Sequence, residues 1–478
     1  MLEYIEDILN KFKSCFSRKA SFHWFVVIIM GLMIRSDKLG VTSIIRDLAL
    51  SHKNYESMLH FFRSSSWSLD SLKMKWFEIV HSFAPLYQEE GCTVLIGDGV
   101  KQAKEGRHMP AVKKLFQESE NSSKPEYIFG HMFGGIGVLA GSIEKWFCTP
   151  LHINLQDGTQ TVNKWKEKED TSASHVVQMI ENAYQAAKTF GKSILLLDRY
   201  FLSVPALERL DALNASGLVF MNIVTKAKKS CVAYHRPPAV KKEGRGRPPK
   251  KGSTVKLTDL FDSCASEFQK TTAVLYGRQE KIGYYCINLL WGQKLYKELR
   301  FVLVEYQGIR SILVSTDLEQ SPISIIRLYS YRFKIECTFR ELKQVIGGFS
   351  YRFWSKSMPK LNRYLKKGEA HPIEAVTEEA KRKNIIGALK AIEGYVMFSC
   401  IAMGILQMIS LHYSKNIIPI KFRYMRTLSK EMVSEATVMC YLRKYIFSIM
   451  AKKPDLIITR IIHGRQETPE TYEDLEVS

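Results

Sequence analysis

The 478-residue chain has no CxxC pair anywhere, and its nine cysteines are scattered singly. That absence argues against zinc ribbons and against a disulfide-stapled module, and it fits a reducing cytoplasm. Long apolar runs are also missing. Phe22 to Met33 is too short to span a bilayer and contains His23, and Val396 to Leu411 is interrupted by Ser399, Gln407 and Ser410. Both read as buried helices, so no membrane partner is expected. The opening MLEYIEDILNKFK is acidic at its start and lacks a small-residue cleavage site, which argues against a secretory signal. Acidic residues are in short supply: 48 against 69 lysines and arginines, a net charge of +21 and a pI near 9.4. Such an excess favours polyanions, nucleic acid first among them.

What is present begins with helices. Residues 1–91 carry amphipathic patterns and few strand signals. Thr42 or Ser43 could cap IIRDLAL, and YESMLHFFR follows after a tight polar turn. This pair predicts either a helix-turn-helix, with Arg46, Lys53 and Arg63 on phosphates, or two helices that are merely packed. From Cys92 the texture changes. CTVLIGD predicts a buried strand ending on Asp98, followed by Gly99 and by Lys101, Lys104 and Arg107. An apolar strand that delivers a carboxylate at its end is a common way to place a catalytic acid, although the same aspartate could simply cap a turn. Residues 127–142 and 144–155 predict two strands that turn at Gly141-Ser142; His131 within the first is left unassigned, a lone strand histidine being more often a core residue than a ligand. A helix is expected over 172–190. SILLLD then runs apolar into Asp198, and a helix over 203–214 and a strand over 218–227 complete a mixed α/β layer rather than a doubly wound sheet.

Between Lys228 and Arg300 lies a segment that predicts a β-rich insertion. Its loop KKEGRGRPPKKG, residues 241–252, can be neither helix nor central strand. Arg245 and Arg247 there have the form of a minor-groove hook, with plain phosphate contact as the alternative. A hairpin from Thr271 and the strands RFVLVEY and SILVSTD follow. Residues 322–347 then predict one long helix, opened by Pro322 and closed by Gly347 and Gly348. Leu328, Tyr331, Ile335, Thr338, Leu342 and Val345 form its apolar stripe. At about 100° per residue, Tyr329, Arg332, Arg340 and Lys343 fall within roughly 40° of Glu336. Taken alone this polar face is a salt-bridged surface; taken with Asp98 and Asp198 it is the third wall of a site. Beyond Trp354 the chain is helical and basic, with an exposed linker at 360–367, helices over 375–413 and 425–450, and an acidic tail expected to be disordered.

Three carboxylates in a strongly basic protein suit hard divalent cations that clamp a phosphodiester, whereas zinc fits less well without a histidine or cysteine set. The spacing of Tyr329, Arg332, Glu336 and Lys343 matches in full the tyrosine, arginine, glutamate, lysine signature of a group of bacterial insertion-sequence transposases, and in this respect the chain resembles that group. GDGVKQAKEGRHMP around Asp98, LLLDRYF around Asp198 and the GRGRPPKKG loop also look like their counterparts there. The resemblance implies an RNase H-like catalytic core with a mixed sheet, interrupted by a β-rich insertion and flanked by helical regions. The chain then divides into a helical region over 1–91, assigned to DNA binding from role and charge, the core over 92–227, the insertion over 228–299, the rest of the core over 300–365 and a helical region over 366–478 that could serve dimerisation.

It also implies that Asp98, Asp198 and Glu336 bind two Mg²⁺ ions, with Mn²⁺ able to substitute. Tyr329, Arg332 and Lys343 would hold the phosphates of a transposon end. Arg340 is added from the helix geometry, and Lys101, Lys104, Arg245 and Arg247 from charge and position. The expected activity is cut-and-paste transposition by a homodimer on terminal inverted repeats and target DNA, in a bacterial cytoplasm at the nucleoid. A nuclease or recombinase without strand transfer, and a DNA-binding repressor, are the alternatives. Some members of the group stack a flipped base on a tryptophan of the insertion; Trp291 is the one tryptophan there in this chain.

Overall fold

The apolar, glycine-punctuated segments between residues 88 and 315 join into one thirteen-stranded mixed sheet. It is seen in the computed structural model of the chain, which describes residues 1–117, 125–166, 174–238, 249–362, 370–417 and 431–467. Five helices precede the sheet: α1 (Leu2–Asn10), α2 (Lys19–Ile34), α3 (Thr42–Asp47), α4 (Asn54–Arg63) and α5 (Leu69–Phe83). The strands and helices that follow are β1 (Gln88–Glu89), β2 (Cys92–Ala103), β3 (Lys113–Phe116), β4 (Tyr127–Ser142), β5 (Lys145–Leu155), α6 (Gln160–Trp165), α7 (His175–Phe190), β6 (Ser193–Leu196), α8 (Val204–Ala215) and β7 (Met221–Lys226).

Next come β8 (Val232–Tyr234), β9 (Thr254–Lys256), α9 (Leu260–Ser263), β10 (Gln269–Leu275), β11 (Arg278–Trp291), β12 (Lys297–Tyr306) and β13 (Ile309–Ser315). Helices α10 (Pro322–Tyr331), α11 (Lys334–Glu341), α12 (Glu379–Ile417), α13 (Glu435–Ala451) and α14 (Ile457–His463) close the chain.

Strands β5, β4 and β2 run antiparallel, and β6 and β7 then add in parallel to β2. Three antiparallel strands followed by two parallel ones is the RNase H-like order, and the fold expected from the sequence is the fold observed. The sheet does not stop at β7. Strand β13 pairs antiparallel with it, and β12, β11 and β8 continue outward. The insertion therefore extends the catalytic sheet, and β12 runs straight across the expected boundary at residue 299. Part of the insertion also has its own small core, in which Phe261, Leu289, Leu299, Phe301 and Val314 are buried.

The helices at both ends share the main core with the sheet. Phe398 of α12 lies in a cage of Phe25, Phe61, Phe62 and Trp67, with ring centroids 5.3 to 5.8 Å away. Burying one such ring contributes about 1.5–3 kcal/mol. Gly404 of α12 lies so close to Trp76 of α5 and Thr149 of β5 that a Cβ would stand 2.3 Å from the Trp76 ring. Trp76 in turn donates its Nε1–H to the Pro150 carbonyl at 2.9 Å. Helix α12 is long and apolar enough to cross a bilayer, yet its apolar stretch is almost wholly enclosed by α2, α4, α5, α13 and β5.

Several local expectations shift. Val41, not Thr42 or Ser43, is the N-cap of α3; Ser43 is buried and its hydroxyl has no partner. Arg46 pairs with Asp37 and Asp47, and Arg63 donates to the Trp354 carbonyl. The β4–β5 turn falls on Ile143-Glu144, because Ser142 and Lys145 still pair. Residues 363–367 of the expected linker, the start of the 425–450 helix and most of the acidic tail lie outside the described residues, while Leu361, at the start of that linker, is buried and its amide donates to the Arg107 carbonyl.

Candidate active site

Asp98 sits within β2 rather than at its end. The strand continues to Ala103 because β4 pairs with it throughout that stretch, Asp98 lying opposite Gly135. What ends near Asp98 is the parallel neighbour: β6 pairs with β2 only as far as Ile96 and Leu196, and the sheet opens beyond. Asp198 follows immediately, at the head of a short 3₁₀ turn over Arg199–Phe201. Its carbonyl accepts from the Thr225 hydroxyl at 3.0 Å, which ties the turn to β7. Both aspartates thus emerge where the parallel strands give out, by two different local routes.

Glu336 comes down from above. The expected single helix is broken at Arg332-Phe333 into α10 and α11, and it ends in one π turn over Leu342–Ile346, closed by Gly347 in the left-handed region at φ +68°. The punctuation at Pro322 and Gly347 is where the sequence puts it, and Leu328, Tyr331, Ile335, Thr338 and Leu342 are buried. Two contacts fix α11 against the sheet. The Thr338 hydroxyl donates to the Cys148 carbonyl at 2.6 Å. Phe339 lies on Gly135, where a Cβ would come within 2.8 Å of its ring. Because Gly135 is also the cross-strand partner of Asp98, the missing side chain lets α11 settle low enough to bring Glu336 toward that carboxylate.

Arg332, at the helix break, bridges the two. Its Nη1 is 3.2 Å from Asp98 Oδ2, and its Nη2 contacts Glu336 Oε1. Only 14% of the Arg332 side chain is exposed, against 21% for Asp98 and 54% for Glu336. Burial pushes the Asp98 carboxyl up to about 6; Arg332 and the Gly99 amide act against that rise, while Asp198 and Glu336 add to it. Asp98, Asp198 and Glu336 therefore share one electrostatic neighbourhood. Among the described residues, however, no three acidic, histidine or cysteine side chains converge closely enough to hold one ion in this arrangement. The guanidinium lies between two of the acids.

Tyr329 belongs to the same cluster. Burial raises its hydroxyl pKa, and the charges that bear on it are those of Arg332, Asp198, Tyr276 and Asp98. Lys343, on the π turn, reaches the Lys101 carbonyl of β2 at 3.3 Å, and the Lys101 ammonium donates to the Phe116 carbonyl. Lys104 departs from the expectation of a DNA contact. Its ammonium donates to the Phe349 and Tyr351 carbonyls and sits 3.6 Å over the Tyr351 ring, and burial lowers its pKa to about 7. It clamps the segment after the π turn. Arg340 is exposed and pairs with its neighbour Glu341 at 2.9 Å, with Glu435 of α13 also acting on it. Arg245 and Arg247 lie outside the described residues. Trp291 donates its indole N–H to Cys231 Sγ and packs on the insertion's own core.

Three residues of this neighbourhood are not among the expected site residues. Lys226, at the end of β7, is held below its usual pKa by burial and by Arg199, while Asp198 opposes the drop. Tyr276 tops the β10–β11 hairpin at φ +52° and meets Phe333 at the helix break, 5.7 Å between centroids. Lys226 could have been flagged as the cation that ends the strand beside SILLLD, and Arg199 stands in LLLDRYF next to Asp198; nothing in the sequence marks Tyr276.

The family model described as DDE superfamily endonuclease matches residues 11–274, more than half of the chain. The matched span contains Asp98 and Asp198 and stops before Glu336. No curated protein and no solved structure matches. Endonucleases of this superfamily use divalent metals, generally Mg²⁺, and the hard carboxylate oxygens of the cluster are donors of the right chemistry for such ions. The RNase H-like sheet, the acids where its parallel strands open and the family match agree, and the chain belongs to the DDE superfamily endonucleases.

Proposed function

We propose that this protein is a cut-and-paste DNA transposase of the bacterial insertion-sequence group with the tyrosine, arginine, glutamate, lysine signature, and that Asp98, Asp198 and Glu336 are its catalytic acids. The observation that supports this most is the single guanidinium of Arg332 spanning Asp98 and Glu336, with Asp198 and Tyr329 in the same field. Acids held that close by one cation can exchange it for another. We read Asp98, Asp198 and Glu336 as the holders of two Mg²⁺ ions, with Mn²⁺ able to replace them. Ions bound there supply an activated water or 3′-hydroxyl and stabilise the leaving oxygen.

The chain's own residues do the rest. An arriving DNA phosphate gives Arg332 a new partner, and as the guanidinium turns to it the carboxylate oxygens of Asp98 and Glu336 are released for metal. Tyr329 and Lys343 flank that phosphate and fix the scissile bond in line, which is worth more to the rate than any single contact. Lys226 and Arg199, beside Asp198, add positive charge along the same path. The N-terminal helices and the basic loop hold the terminal repeats, two copies act together on paired ends, and the reaction runs on nucleoid DNA in the cytoplasm.

Incubation with labelled end DNA, a target plasmid and Mg²⁺ tests the reading. Joining of 3′ ends to the plasmid is expected. Cleavage without joining would leave a nuclease and refute transposition. Alanine at Asp98, Asp198 or Glu336 abolishes both steps while DNA binding persists; cleavage that survives all three changes sinks the assignment of the acids.

A further inference from the structure

A second basic site lies away from these acids, on elements that carry none of them. A cavity of about 560 Å³ opens between the α1–α2 connection, the first turns of α2 and helix α14. Its floor is apolar: Phe16, Phe22 and Ile461 are buried, and Ile457 is partly so. Its rim is basic. Lys13 comes from the α1–α2 connection, Arg18 and Lys19 from the front of α2, Arg460 and Arg465 from α14 and the residues after it, and no carboxylate among the described residues lines the space. Two acids near it among the described residues are engaged elsewhere. Glu6 accepts from the Ile458 amide, and Glu467 is paired with His52. Arg460 donates to the Asp455 carbonyl, and Arg465 to the Ile461 carbonyl while lying over the Trp24 ring.

The charges in the cavity therefore oppose one another. His23, on its wall, is held below its usual pKa by burial and then by Arg465, Lys19 and Lys13, with no acid among the causes. The partly buried Arg465 is itself lowered by burial, with nothing raising it. Among the described residues these cations have no carboxylate partner in the cavity, and cations gathered around an apolar floor store repulsion that an anion would relieve. A purely inorganic anion would leave the apolar floor wet, whereas a fatty acid would use one cation and leave the others unmatched. The volume lies within the range of small-molecule sites.

We propose that this cavity binds a nucleoside phosphate, its base against the apolar floor and its phosphates on the Lys13, Arg18 and Lys19 rim. A free nucleotide and the terminal nucleotide of a DNA strand present the same chemistry. Fluorescence anisotropy on the full chain separates them, with a fluorescent ATP analogue and a labelled 5′-phosphorylated single-stranded oligonucleotide as probes. Saturable binding of the ATP analogue assigns the free nucleotide; saturation by the oligonucleotide alone assigns a DNA end.

In either case Lys13→Ala combined with Lys19→Ala weakens binding at least tenfold with an unchanged melting temperature. Both side chains are exposed and neither forms an ion pair among the described residues. The charge-matched control Lys444→Ala with Lys452→Ala leaves it intact, and so does Asp98→Ala, which separates this site from the acid cluster. The proposal is overturned if neither probe saturates, or if the rim variant and the charge-matched control lose binding equally.

Discussion

Replacing Arg332 with methionine keeps most of the side-chain volume and removes the cation between Asp98 and Glu336. The Arg332–Asp98 pair, at 3.2 Å and largely shielded from solvent, has a Coulomb attraction of about 5 kcal/mol at an effective dielectric near 20. Desolvation of both partners cancels much of that, leaving about 2 kcal/mol, the usual range for a hydrogen bond between charged groups. Glu336 is half exposed, so its share is screened and adds little. A divalent ion that binds Asp98 must first displace this arginine. In Arg332→Met the competition is gone, and Mn²⁺ affinity without DNA rises by roughly thirtyfold, the factor that 2 kcal/mol corresponds to. Titration followed by the electron-spin signal of free Mn²⁺ measures it. Cleavage falls in the same variant, because the phosphate loses its guanidinium. Tighter metal with slower cleavage is the signature; unchanged or weaker Mn²⁺ binding refutes the competition.

Other expectations follow from the same contacts. Gly135→Ala sets a Cβ 2.8 Å from the Phe339 ring, so α11 lifts from the sheet; thermal melting shows a loss of about 1–3 kcal/mol, and cleavage drops more than DNA binding does. His131 is wholly buried: its Nε2–H donates to the Pro110 carbonyl, its Nδ1 accepts from the Tyr351 hydroxyl, and burial lowers its pKa to about 3. Above pH 6.5 it is neutral whether folded or unfolded. As pH falls below 6.5 only the unfolded chain takes the proton, so stability declines by up to about 1.4 kcal/mol per pH unit. In His131→Gln, denaturant titrations between pH 4 and 6.5 show a shallower dependence on pH; an unchanged slope would falsify the neutral assignment. DNA affinity falls steeply and log-linearly with salt, as expected when several phosphates are neutralised; a flat response in filter binding counts against phosphate-led recognition.

The sheet, and the strands and helix that bring Asp98, Asp198 and Glu336 near one another, were legible because their signals are local. CTVLIGD and SILLLD each say buried strand followed by carboxylate, and Pro322 and Gly347 bracket the third element without ambiguity. What stayed hidden depends on partners distant in the chain. Asp98 became an interior strand residue because β4 keeps pairing past it, which no feature of residues 92–98 can announce. The break at Arg332-Phe333 rewards packing against the sheet and the Tyr276 hairpin, so the periodicity of the sequence carried straight through it. Lys104 looked like a surface cation because a lysine in a basic stretch usually is one; the carbonyls that bind it come some 245 residues later. Arg340 shared a helical face with Glu336, but Glu341 and α13 took its charge.

Helix α12 has a consequence for how the protein is made. It covers β5 and the aromatic cage of the N-terminal helices, yet it ends about 260 residues after β5 has left the ribosome. At roughly 5–20 residues per second, β5 stays uncovered by α12 for on the order of ten to fifty seconds, and α2 for longer. During that time the nascent chain exposes Phe25, Phe61 and Trp76, a surface that chaperones bind and that neighbouring chains can stick to. A message truncated before residue 379 therefore yields an aggregating product rather than a smaller nuclease, although Asp98, Asp198 and Glu336 have all been translated by then.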